Sequence, residues 1–149
     1  NNGWNALFWA SVYEQPDSTK QLLEDKRVDP NLKDNDVRTA LMYASRFGRP
    51  DHVKLLLEDE RVDPNLVDNN GWNALMFASR YGHPDCVKLL LEDERIEPNL
   101  DANNGLTALM FASRFKHPHC EKLLLDISMD PPKVEHWGPC NHSGECEGN

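Results

Sequence analysis

Long apolar runs are missing from this 149-residue sequence. No stretch approaches the roughly 18 consecutive apolar residues of a membrane-spanning helix, so no membrane insertion is expected. The chain opens NNGWNALF, without a basic start, an apolar run and a small-residue cleavage site, so no secretory signal is expected. It also lacks an initiating Met, as a fragment of a longer protein would. Cysteine is scarce: four in a chain of this length do not make a disulfide scaffold. Basic residues are outnumbered, 16 against 25 acidic ones, for a formal charge of -9 and a pI near 5.0. That balance argues against a nucleic-acid binder, which needs clustered Lys and Arg to meet phosphates. Catalytic signatures are absent as well. There is no phosphate-cradling Gly-rich loop, no His-Glu-x-x-His, and no Ser or Cys in a nucleophile setting, so no enzyme is expected.

What is present is repetition. Ala-Leu recurs at Ala6-Leu7, Ala40-Leu41, Ala74-Leu75 and Ala108-Leu109, always 34 residues apart, and Pro recurs in step at Pro16, Pro50, Pro84 and Pro118. Residues 36–69 aligned on 70–103 share 22 of 34 positions. The expected units are about 1–35, 36–69, 70–103 and 104–130, followed by an acidic tail over 131–149. A 34-residue period with two short amphipathic segments per unit is the mark of a solenoid.

The third unit shows the local logic. Asn69-Asn70-Gly71 is a tight-turn signal, because Asn and Gly tolerate positive φ. A helix is predicted from about Asn73, closed by Gly82 as a left-handed cap. Pro84 suits the first position of a second helix, where its missing N–H costs nothing. Val87, Leu90 and Leu91 give that helix an i, i+3, i+4 stripe, and Pro98-Asn99 open a loop. Neither helix would be stable alone at about ten residues. Each must bury its apolar face against the next copy, so the expected fold is all-α and stacked.

The period alone also suits tetratricopeptide repeats, but their Trp, Leu-Gly and Tyr signature is absent. Instead NGWNALMFASRYGHPDCVKLLL and NGLTALMFASRFKHPHCEKLLL resemble the ankyrin repeat, with its Gly, Thr-Pro-Leu-His, Ala-Ala and Gly-His elements before Val-x-x-Leu-Leu. The resemblance covers about 1–130 and implies a solenoid of helix-turn-helix units joined by β-turn or hairpin-like loops. Three departures stand out. Met42, Met76 and Met110 replace the family's His, so its cross-repeat hydrogen bonding is expected to give way to thioether packing. The loop is one residue longer, as in Glu60-Arg61-Val62-Asp63-Pro64-Asn65. Val37 stands where other turns carry Gly3, Gly71 and Gly105, so a rearranged second turn is expected.

The resemblance implies a binding site on the concave surface of turn tips and first helices. Its variable positions fall on Trp4 and Tyr13; Arg38, Arg46 and Phe47; Trp72, Arg80 and Tyr81; and Leu106, Arg114 and Phe115. Trp, Tyr and Arg dominate binding hot spots, and an Arg-aromatic face would suit a partner protein offering carboxylates and apolar anchors. The plainer account is that Arg complements the helix C-terminus and the aromatics pack under neighbouring loops. Acidic runs at Glu58-Asp59-Glu60 and Glu92-Asp93-Glu94 read as a solvated edge, offset by Arg27, Arg61 and Arg95, with an acidic docking edge as the alternative.

His52, Cys86 and Cys120 share one position of the second helix. Adjacent helices lie about 8–10 Å apart, beyond the ~7 Å Cα reach of a disulfide. Free thiols, and hence an intracellular and cytoplasmic setting, are the better reading. In the tail, His136, Cys140, His142 and Cys146 suit zinc by type and number, although the Cys-x-His spacing is too tight for a standard finger. The alternatives are a Cys140–Cys146 disulfide, a flexible acidic terminus, and a terminus whose Trp137 and Val134 fold back over the exposed end of the last repeat; otherwise no cofactor is expected. The family resemblance also puts Asn31, Asn65 and Asn99 where some ankyrin proteins are hydroxylated, with loop anchoring as the competing role. The expected function is a monomeric scaffold for protein–protein interaction. Competing readings are a targeting or regulatory segment of a larger enzyme, channel or adaptor, and a metal-responsive module using the tail.

Overall fold

A computed structural model describes residues 5–129. Eight helices follow in pairs: α1 (Ala6–Val12) and α2 (Pro16–Glu24), α3 (Ala40–Arg46) and α4 (Pro50–Glu58), α5 (Ala74–Arg80) and α6 (Pro84–Glu92), α7 (Ala108–Arg114) and α8 (Pro118–Met129). The helix starts are those the sequence punctuates. Asn5, Thr39, Asn73 and Thr107 cap the first helices, each accepting on its side-chain oxygen the backbone N–H three residues on. Every second helix begins on its Pro.

First helices stack on first helices (α1, α3, α5, α7) and second on second (α2, α4, α6, α8). Each neighbour supplies one wall of a thin apolar layer: Leu41, Ala44 and Tyr43, then Leu75, Ala78 and Phe77, then Phe111 and Ala112, with Leu56, Leu90 and Leu124 from the second helices. Fully burying each Leu or Phe contributes about 1.5–3 kcal/mol. That is how helices of seven and nine residues survive. Met42 and Met76 are buried, as their thioether role requires, whereas Met110 is half exposed.

The turns between pairs share one construction. Asp34, Asp68 and Ala102 donate their N–H to the carbonyls of Arg38, Trp72 and Leu106, and accept from the N–H of Val37, Gly71 and Gly105. The expected rearrangement at Val37 does not occur. Val37 has φ 63, beside 77 at Gly71 and 81 at Gly105, so the β-branched residue is held left-handed. The second turn keeps its shape because its ends are fixed: the Asp34 carboxylate accepts from the N–H of Asp36 and Arg38 and from the Tyr43 hydroxyl.

Cross-unit histidine bonding also persists, from another position. Arg49 Nε donates to the Val12 carbonyl at 3.2 Å. The equivalent His83 and His117 contact the carbonyls of Arg46 and Arg80 through Nε2 at 2.9 and 2.8 Å. A carbonyl only accepts, so Nε2 carries the proton in both rings. The residue before Pro50, Pro84 and Pro118 thus caps the first helix of the preceding pair.

Candidate interaction surface

The first helices end in Arg46-Phe47, Arg80-Tyr81 and Arg114-Phe115, with the aromatic as C-cap. Stacking sets these pairs into register across units. The Arg46 guanidinium lies 5.4 Å from its own Phe47 ring centroid and 5.3 Å from Tyr81 of the next pair. Arg80 lies 4.8 Å from Tyr81 and 4.5 Å from Phe115. Rings and guanidinium groups therefore alternate along the surface: Phe47, Arg46, Tyr81, Arg80, Phe115. All three rings are exposed.

Each stack of this kind is worth about 0.5–1 kcal/mol at an exposed site. Its greater consequence is positional. A guanidinium placed against rings keeps N–H donors for a second partner, and their fork matches a carboxylate. Among the described residues, neither Arg46 nor Arg80 nor Arg114 forms an ion pair with an acidic side chain. In a chain of charge -9, these cations are held apart from the acids.

Other expected members sit differently. Arg38 is half-buried, with Nε 3.5 Å from the Asp68 carboxylate and its guanidinium 5.5 Å from the Phe77 ring. Trp72 packs inward against Phe77 and Phe111, at 5.2 and 4.6 Å between centroids, and its ring also meets Arg80 at 5.4 Å. Leu106 is likewise partly buried against the core. Tyr13 is well exposed but stacks on Trp9, 5.3 Å away, with Val12 in the Arg position. Trp4 lies outside the described residues. The alternation itself was not visible in sequence, because the aromatic nearest each Arg across units is 35 positions away rather than one full repeat.

The acidic edge is organised by arginines. Asp59 and Asp93 are each gripped through both oxygens by Arg61 and Arg95, and these hydrogen bonds hold both carboxyls below the usual carboxylate range. The same guanidinium groups reach the preceding pair: Arg61 donates to the carbonyls of Leu23 and Val28, Arg95 to those of Leu57 and Val62. Asn31 and Asn65 tie the loops together from the other side. The Asn31 amide donates to the Arg61 carbonyl at 2.7 Å and accepts from the Asp63 N–H at 2.9 Å. Asn65 does the same with Arg95 and Glu97. Anchoring is therefore observed for both, while Asn99 is exposed.

Cys86 and Cys120 are free and buried, and burial pushes the Cys86 thiol up to about 12. It is a packing residue, far from a reactive thiolate. No group of three or more His, Cys, Asp or Glu side chains among the described residues is placed to hold a metal ion. The tail residues His136, Cys140, His142 and Cys146 lie outside them. No described helix is long and apolar enough to cross a membrane.

A family model of three ankyrin repeats matches residues 1–68 and again 60–134. The chain belongs to the ankyrin repeat family, a usually non-catalytic module that typically mediates protein–protein interaction. No individual curated protein matches the sequence significantly.

Proposed function

We propose that this chain binds a partner protein through the ladder of Phe47, Arg46, Tyr81, Arg80 and Phe115, extended by Arg114. The observation that carries this reading is the pairing of exposed rings with guanidinium edges that meet no described carboxylate. The partner would offer acidic side chains to those edges and apolar groups to the rings. Trp72, Leu106 and Arg38 support the surface from beneath, and Tyr13 continues it toward the first helix pair.

The stack would act as a rigid scaffold made of the units 1–35, 36–69, 70–103 and 104–130, since each of these ranges contains one helix pair. Buried free cysteines support an intracellular setting for it.

Affinity capture with the wild type beside Arg80→Glu/Tyr81→Ala, read by mass spectrometry, tests the reading. Partners should be lost from the variant while its helical CD spectrum is unchanged. Equal capture by both proteins would move the site away from this surface.

A further inference from the structure

The surface of the first helix pair opposite α3 is built like an internal interface. Ala6, Trp9, Tyr13, Ser18 and Leu22 correspond by the 34-residue repeat to Ala40, Tyr43, Phe47, His52 and Leu56. Within that second set, Ala40, Tyr43, His52 and Leu56 are buried, on helices that pack against the preceding pair, with Tyr43 on Phe8 at 5.7 Å between centroids. In the first set Trp9 is 51% exposed, Ala6 and Ser18 are exposed, and Leu22 is only partly covered. Together with Gln15 and Asp25 they line a groove of about 680 Å³.

A second, independent observation concerns Arg27. It grips both oxygens of Asp25 at 3.0 and 2.9 Å, in the geometry Arg61 adopts on Asp59 and Arg95 on Asp93. Arg61 uses the rest of its guanidinium group on two carbonyls of the preceding pair, and Arg95 on three. Arg27 holds the same pose with its side chain 91% exposed, against 31% for Arg61 and 36% for Arg95. Its fork is set for acceptors that the described residues do not supply.

We propose that this face seats a further helix pair of the same repeat kind, stacked in series ahead of α1. Such a unit presents what the face lacks. Its second helix and loop carry carbonyls at the spacing Arg27 needs, and the end of its first helix carries one for Gln15, as Val12 does for Arg49. An Arg in the place of Arg46 would lie over Tyr13 as Arg46 lies over Tyr81. The far end of a second copy fits less well. There α8 runs on for 12 residues, to Met129, so residues 127–129 are helical where α2, α4 and α6 have stopped after nine and the chain has turned into a loop.

The test joins a copy of residues 35–68 directly to Asn1, which reproduces the natural junction Leu-Val-Asp-Asn-Asn-Gly-Trp-Asn-Ala-Leu. The extended chain should melt higher by roughly 5 °C or more, because one interface is added to a stack of nearest-neighbour terms. Arg27→Ala should leave the melting point of the original chain within about 1 °C and lower that of the extended chain by several degrees. An unchanged or lower melting point on extension overturns the proposal, as does an equal effect of Arg27→Ala in both chains. Sedimentation of the original chain should give a monomer at all concentrations. Reversible association abolished by Trp9→Ala would instead assign the face to a second copy.

Discussion

His83 lies directly over Gly48. While His83 Nε2 donates to the Arg46 carbonyl, a Cβ built on Gly48 would stand 2.5 Å from His83 Nδ1. His117 is placed over Gly82 in the same way. The pairing explains where non-glycine residues are accepted at this left-handed position. Glu14 (φ 57) lies beneath the flexible Arg49 and forms an ion pair with it at 2.6 Å, and Lys116 (φ 61) belongs to the last helix pair. Gly48→Ala should therefore cost about 2–3 kcal/mol, from the positive φ and the steric contact together. Adding His83→Gln should recover part of it in urea denaturation. A loss below about 0.5 kcal/mol for Gly48→Ala would refute the steric account.

Val37 holds a positive φ that favours glycine. Replacing it with Gly removes a left-handed β-branched residue, which costs about 1–2 kcal/mol, against a smaller entropic loss in the unfolded chain. Val37→Gly should raise stability by about 0.5–1 kcal/mol. Chemical denaturation of the two proteins side by side checks the sign.

His52 is buried, its Nε2 has no hydrogen-bond partner among the described residues, and desolvation lowers its pKa below the ordinary imidazole value. A group whose folded pKa is depressed gives up stability as pH falls below its unfolded pKa. Between pH 6.5 and the folded pKa, the unfolding constant should rise up to about tenfold per pH unit. His52→Cys, the residue found at positions 86 and 120, should flatten that slope. The depressed carboxyls Asp59 and Asp93 act separately: their contribution is complete above about pH 4 and is lost only as pH falls below it. A pH series of urea midpoints separates the two windows.

Asn65→Ala removes two hydrogen bonds between loops, to Arg95 and Glu97. The expected cost is about 1–3 kcal/mol, since net hydrogen bonds contribute about 0.5–1.5 kcal/mol each. Hydrogen exchange should show faster opening of residues 60–66 and 94–98 before any global loss.

Much of the architecture was legible because local signals repeat. Asn5, Thr39, Asn73 and Thr107 announce one helix start, the four prolines announce the other, and Gly82 closes a helix where its φ of 72 demands. Val37 misled because propensity is a single-residue term, while the turn is held by the Asp34 carboxylate at its start and by Tyr43 from α3. His83 stands in the Gly-His element of the family pattern, but the carbonyls that it and His117 reach across units come into place only through stacking. On the candidate surface the residue types were readable, but burial was not. Nothing in sequence separates Trp72, which packs on Phe111, from Tyr81, which stands open beside Arg46.

The central claim is that guanidinium edges held between aromatic rings recognise acidic, partly apolar segments. Selection of a random peptide library on the wild type, and in parallel on Arg46→Gln/Arg80→Gln, measures this most directly. Wild-type selection should enrich Asp and Glu next to apolar residues, with affinities that weaken as salt is raised. The variant, with an unchanged CD spectrum, should retain none of those peptides. Recovery of the same peptides on both proteins, or enrichment without acidic residues, would contradict the account.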